Sequence, residues 1–147
     1  ILNVSDKILD ASRILLASVD DAGGDTSSAI AFYHEPFPLV PGAYFTITRD
    51  KGRVLSRYPS SEGQCIHEVA SLPSMSDEGG HLVLLSRELV ILDDVVYSDD
   101  MHYPLLSGNE GVSLERVTGP APFPASAQWH SASGDVGWGL PGLKTPR

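Results

Sequence analysis

Apolar and polar residues alternate in short runs along the whole chain, and Gly, Pro, Asp or Ser residues separate the runs. The clearest runs are residues 11–19, 29–34, 43–50, 65–70, 81–86, 90–98, 111–117 and 128–132. In residues 43–50, Tyr44, Thr46 and Thr48 alternate with Phe45 and Ile47. Because β-branched and aromatic side chains suit a pleated surface, these runs predict about eight short strands.

Residues 81–86 and 90–98 form the clearest predicted pair of strands. The turn signal Asp50-Lys51-Gly52 predicts a hairpin from which residues 53–58 continue as a strand. Residues 6–18 also allow a short amphipathic helix, but we favour a strand there. Many short strands at this spacing predict an all-β fold, an antiparallel sandwich or barrel.

The composition fits one globular domain. The chain has 147 residues, enough for a hydrophobic core, and its 14 Gly and 11 Pro favour many turns. Its formal net charge of -9 repels phosphate backbones and anionic lipid. We therefore predict no nucleic-acid partner, and the absence of a long apolar run predicts no direct membrane insertion. The first residue is Ile1 and not Met, so we expect a longer natural polypeptide.

No pattern of residues supports catalysis. The segment Gly111-Val112-Ser113 lacks the second glycine of a nucleophile elbow, and no glycine-rich phosphate loop is present. The sequence thus predicts no enzyme, no catalytic residues and no cofactor. The alternative is a metal-assisted hydrolase that uses His102, His130 and nearby aspartates.

Metal ligands and reactive thiols are also poorly supported. None of the five histidines is spaced from another like a zinc-binding pair; they are His34, His67, His81, His102 and His130. Among the acidic pairs, which are Asp20 with Asp21, Asp93 with Asp94, and Asp99 with Asp100, the last is the best candidate for calcium. Adjacent strand residues point to opposite faces, so we predict no metal site. We predict that Cys65 is a small buried strand residue.

Both tryptophans lie in the last part of the chain. In residues 111–117, Val112 and Leu114 share a strand face with Arg116. A planar guanidinium stacks well on an indole, so we expect Trp129 or Trp138 to cover Arg116. The Pro-rich residues 118–128 would cross one end of the fold and place Trp129 on the core.

Several motifs together resemble the bacterial lamin-tail-like domain. The closest agreement is in residues 93–117, with the D-x-V-x-Y-S-D-x-x-H and G-V-S-L-E-R strands, and in residues 128–142, with W-H-S-A. Looser agreement covers P-G-x-Y in residues 39–50, S-L-P-S in residues 71–85 and N-x-S in residues 3–12. Leu140 stands where the family usually has Thr, and the family's first strand has no counterpart.

This resemblance implies an immunoglobulin-like antiparallel β-sandwich in residues 1–142, with residues 143–147 as a tail or linker. It also implies a non-catalytic protein-interaction module of a bacterial secreted, cell-surface or outer-membrane-associated protein. Such a protein would be part of a type IX secretion or surface-attachment assembly. If the first strand is missing, we expect an open sheet edge near residues 1–4 that a preceding segment or another chain fills. The alternative function is carbohydrate binding through Trp138, Tyr103 and Tyr97.

Overall fold

The computed structural model describes residues 1–20, 26, 29–59, 61, 63–116 and 128–143. Within these residues most of the regular structure is β, as the sequence predicts, and the larger sheet is antiparallel. The strands are β1 Leu9–Asp10, β2 Ile14–Val19, β3 Ile30–Ala31, β4 Pro38–Leu39, β5 Thr46–Thr48, β6 Ile66–Glu68, β7 Gly79–Ser86, β8 Ile91–Ser98, β9 Leu114–Arg116 and β10 Trp129–Ser131. The α-helix is α1, Lys51–Arg57.

The main sheet has four antiparallel strands in the order β3-β2-β7-β8. The hairpin β7–β8 is the pair that the sequence marks most clearly, and it is confirmed. Strand β2 lies in the segment for which a helix was the alternative, so the preference for a strand is confirmed there. A bulge between Leu84 and Leu85 shifts the register of β7 against β8.

The core lies between one face of the main sheet and the short strands. Ile14 of β2 packs with Phe32, Leu39 and Phe45, all of which are buried. A second buried cluster lies on other residues of the same sheet and includes Val83. The main sheet therefore contributes apolar side chains to both buried clusters. Burial of these side chains is the main source of the stability of the sheet.

The first residues of the chain pair with the segment before β5. The Asn3 amide donates to the carbonyl of Ala43 (3.1 Å), and the Phe45 amide donates to the carbonyl of Ile1 (2.8 Å). The open edge expected near residues 1–4 is thus closed on this side by the chain's own backbone.

The predicted hairpin at Asp50-Lys51-Gly52 and the strand at residues 53–58 are wrong. Asp50 is instead the N-cap of α1, because its carboxylate accepts the Arg53 amide at 2.8 Å. The helix carries the chain back from the end of β5, so β5 and β6 pair in parallel. This parallel pair departs from the purely antiparallel prediction.

Cys65 also differs from its prediction. It is half-buried and ends a 3₁₀ turn, Gly63–Cys65, so it precedes the strand and does not lie in it.

Among the described residues, no helix has both the length and the apolar character that a membrane span requires.

Candidate functional site

The ribbon of β9 and β10 positions the arginine and one tryptophan. Arg116 pairs directly with Trp129 in the antiparallel register, and the guanidinium carbon lies 6.0 Å from the centre of the indole. The same guanidinium donates to a carboxylate oxygen of Asp93 on β8 (2.6 Å) and to the Gln128 side chain (3.2 Å). The predicted arginine–indole contact is therefore confirmed, and Trp129 is the partner.

A cavity of about 320 Å³ lies beside this ribbon, and we call it the aromatic cavity. The rings of Tyr97 and Trp129 line it, together with the apolar side chains of Leu82 and Val95. Two acidic residues, Asp77 and Asp99, and His102 also line it. Aromatic and acidic groups from β8, β10 and two loops thus meet in one place.

Hydrogen bonds hold the walls of the aromatic cavity. The Tyr97 hydroxyl donates to the carbonyl of Ser76 (2.9 Å), and the Asp99 amide donates to the carbonyl of Glu78 (3.1 Å). Burial raises the pKa of Tyr97, and the negative charge of Asp77 raises it further. The tyrosine hydroxyl therefore stays protonated and keeps its bond to the loop.

A second cavity of about 440 Å³ adjoins the first and shares Ser98 and His102 with it; we call it the histidine cavity. His130 and Tyr103 line it as well, so the two histidines of the hydrolase alternative do lie at one cavity. Ser131 organises them: its hydroxyl lies 3.0 Å from His102 Nδ1, and its carbonyl accepts from His130 Nδ1 at 2.7 Å.

Metal-binding geometry is not found in the part of the chain that the structure describes. No group of three or more His, Cys, Asp or Glu side chains there is placed to hold an ion. Asp99 and Asp100, the candidate calcium pair, face different cavities. Asp93 and Asp94 bind Arg116 and His81, respectively.

Trp138 lies apart from the aromatic cavity. Its backbone is left-handed, with φ 68°, and its side chain is 38% exposed. A Cβ placed on Gly134 would come within 2.9 Å of the indole, so this glycine makes room for the ring. The three aromatic residues proposed for sugar binding therefore do not form one platform. The predicted Pro-rich crossing, Asp21 and most of the tail fall outside the described residues.

Sequence reasoning missed two residues that shape this region. Glu115 accepts the Leu140 amide with one carboxylate oxygen (2.8 Å), and its other oxygen is buried without a hydrogen-bond partner among the described residues. Asp77 reaches the aromatic cavity from a loop that precedes β7. No local pattern identifies either one, because both positions depend on contacts between segments distant in sequence.

The outer edge of β8 is the second feature with functional potential. Strand β8 ends the main sheet, and among the described residues β7 is the only strand paired with it. Four consecutive apolar residues that lead from the β7–β8 turn into β8 are exposed: Leu89 by 67%, Val90 by 59%, Ile91 by 62% and Leu92 by 54%. Such a run on an open edge is typical of an interaction surface.

Comparisons with protein-family models, with curated proteins and with solved structures found no match to this chain.

Proposed function

We propose that the chain is a non-catalytic module that binds an extended segment of a partner protein by strand addition to β8. The single observation that carries the proposal is the run of four exposed apolar residues, 89–92, that leads from the β7–β8 turn into the open edge strand of the main sheet. Water solvates such side chains poorly, so burying them under a partner strand is favourable.

The backbone of β8 is suited to this role. The Asp99 amide donates to the carbonyl of Glu78, so these two residues form a hydrogen-bonded pair. Every second residue of an antiparallel strand bonds to its partner, so Tyr97 and Val95 also bond to β7. Asp94 and Val96 then present their N–H and C=O groups to the outer side. An added strand would form its hydrogen bonds with these two residues.

The charge of the surface defines the partner. Asp94 lies in the middle of β8 with about half of its side chain exposed and bonds to His81, and Asp93 beside it is paired with Arg116. The whole chain nevertheless carries a net charge of -9. Like charges disfavour a second copy of this chain on the same edge. The complementary partner is therefore a segment that combines apolar and basic residues.

The resemblance to the lamin-tail-like domain supports an immunoglobulin-like sandwich and a setting in a bacterial secreted or cell-surface protein. In that setting the partner belongs to a secretion or surface-attachment assembly.

Selection of extended peptides from a random library, followed by calorimetry and hydrogen exchange, tests strand addition. We expect the selected peptides to alternate apolar and basic residues and to slow exchange at Asp94 and Val96. Val96→Pro removes an outward donor and should abolish binding. Ile91→Lys should weaken it about ten-fold. Leu105→Lys, at a still more exposed position off the edge, is the matched control and should bind normally.

Peptides that bind without protecting Asp94 and Val96, or equally well to Val96→Pro, would exclude strand addition. Failure to select any peptide would exclude it too. Protection of the same amides in a longer natural polypeptide without added peptide would identify a preceding segment of the same protein as the occupant.

Carbohydrate binding is the second candidate, because Tyr97 and Trp129 line one cavity and Tyr103 lines the next. A glycan array tests it: a signal that Trp129→Ala removes would support it, and no signal would exclude it.

A further inference from the structure

We propose that the aromatic cavity is a binding site for an organic cation, either an alkylammonium or methylated ammonium group or a guanidinium. The proposal does not depend on strand addition at β8, because it uses a different set of side chains.

The lining of the cavity matches the chemistry of such cations. Tyr97 and Trp129 bring two aromatic rings to the lining, and Asp77 and Asp99 bring two acidic residues. Leu82 and other apolar groups cover the rest of the wall. A cation that has an apolar body gains from all three kinds of contact, since aromatic faces attract positive charge and carboxylates bind it directly.

No lysine or arginine of the described residues lines the cavity. Arg116 lies over the Trp129 ring but is held by Asp93, which is not part of the lining. One cation of the protein therefore already lies near this indole. The two carboxylates of the cavity are not paired with any basic side chain that lines it.

Other ligand classes fit less well. The two carboxylates and the net charge of -9 repel an anion. The Tyr97 hydroxyl donates its proton to Ser76, and the aspartates only accept hydrogen bonds. The two aspartates therefore suit a donor with positive charge. The volume of about 320 Å³ admits a choline-sized group or one long basic side chain.

Fluorescence titration of Trp138→Phe tests the site, because Trp129 is then the one remaining tryptophan. The probes are choline, its uncharged carbon isostere dimethylbutanol, and N-acetyl-arginine amide. We expect saturable quenching in the millimolar range by the two cations and none by the isostere. Tighter binding of choline identifies a small-molecule ammonium as the ligand class, and tighter binding of the arginine derivative identifies a basic side chain of a protein partner.

Two charge variants complete the test. In the Trp138→Phe background, Asp77→Asn with Asp99→Asn should weaken cation binding about five-fold or more. Asp6→Asn, at an exposed position near the start of the chain and not in the lining of the cavity, should leave cation binding unchanged. Quenching by dimethylbutanol as strong as that by choline, no quenching by either cation, or equal affinity in the double aspartate variant would each overturn the proposal.

Discussion

The imidazole of His67 lies flat on the ring of Phe45, with 4.2 Å between the ring centres and 7° between the planes. The edges of Tyr33 and Phe37 close the sides of this pair, at 5.2 and 4.9 Å between ring centres. His67 Nδ1 lies 3.0 Å from the Tyr33 hydroxyl. Among the described residues, the buried Nε2 has no hydrogen-bond partner. The neutral ring therefore fits this site and the charged ring does not.

This burial makes stability depend on pH. Burial lowers the pKa of His67, and the positive charge of Lys51 lowers it further. The unfolded chain takes up a proton below about pH 6.5, while the folded chain resists it. The contribution of the neutral His67 to the free energy of unfolding is thus fully present above that pH. It falls as the pH drops through that value towards the lower pKa of His67 in the folded chain.

Chemical denaturation between about pH 7 and pH 5 measures this effect. His67→Gln should flatten the dependence relative to the natural chain. His34→Gln, which alters an exposed histidine, is the control and should keep the original slope. Equal slopes in all three proteins would contradict the assignment to His67.

Asn3 should tolerate very little change, because it is 2% exposed and all its side-chain hydrogen bonds are made. Its amide nitrogen donates to the carbonyls of Lys7 and Leu39, both at 2.8 Å, and its oxygen accepts from Ser5. Asn3→Asp places a carboxylate oxygen against two carbonyls. We expect a loss of about 2–3 kcal/mol in the free energy of unfolding.

Ser5→Ala is the matched control for Asn3, since it removes the hydroxyl bond to the Asn3 oxygen and the longer hydroxyl bonds with Lys7, and leaves both carbonyl bonds of Asn3. It should cost about 1 kcal/mol or less. A loss as large as that of Asn3→Asp would show that the loop, and not the buried amide, determines stability.

Leu89 closes the β7–β8 turn in a conformation that suits glycine. Its φ is 62°, its amide donates to Ser86, and Ser86 donates to Val90, as in a three-residue hairpin loop. Leu89→Gly relieves the left-handed strain and should raise the unfolding free energy by roughly 1 kcal/mol. Leu89→Asn should give a smaller gain. Thermal unfolding compares them, and destabilisation by both would indicate that the exposed leucine makes a stabilising contact.

Gly134 and Gly108 form a matched pair for close packing. A Cβ at Gly134 would meet the Trp138 indole at 2.9 Å, and a Cβ at Gly108 would meet nothing within 4 Å. Gly134→Ala should therefore lower stability by about 1–2 kcal/mol and alter tryptophan emission. Gly108→Ala should be neutral or slightly stabilising. The prediction fails if the two variants unfold at the same denaturant concentration.

Local sequence patterns predict the fold correctly where the deciding interactions are local. The alternation in residues 81–86 and 90–98 is strong enough to identify the β7–β8 hairpin. The local pattern gives the wrong prediction at Asp50, because the same residue types serve as a turn signal or as a helix N-cap. A turn and a helix differ in how the following segment packs against the rest of the fold, and a few neighbouring residues do not determine that packing.

The candidate sites show the same division. The contact of Arg116 with an indole follows from the chemistry of both side chains, but two tryptophans were possible partners. The register of β9 against β10 selects Trp129. Asp77 enters the aromatic cavity only because the loop before β7 returns beside β8.

By itself, the sequence determined the β-rich character of the chain, its best hairpin and its acidic surface, because side-chain period, turn residues and charge act over a few neighbours. The tertiary structure alone decided that β5 and β6 run parallel, that β8 is an edge strand among the described residues, and that His67 is enclosed by aromatic rings. Each of these depends on pairing between distant segments, whose free energy is set by the packing of the whole core.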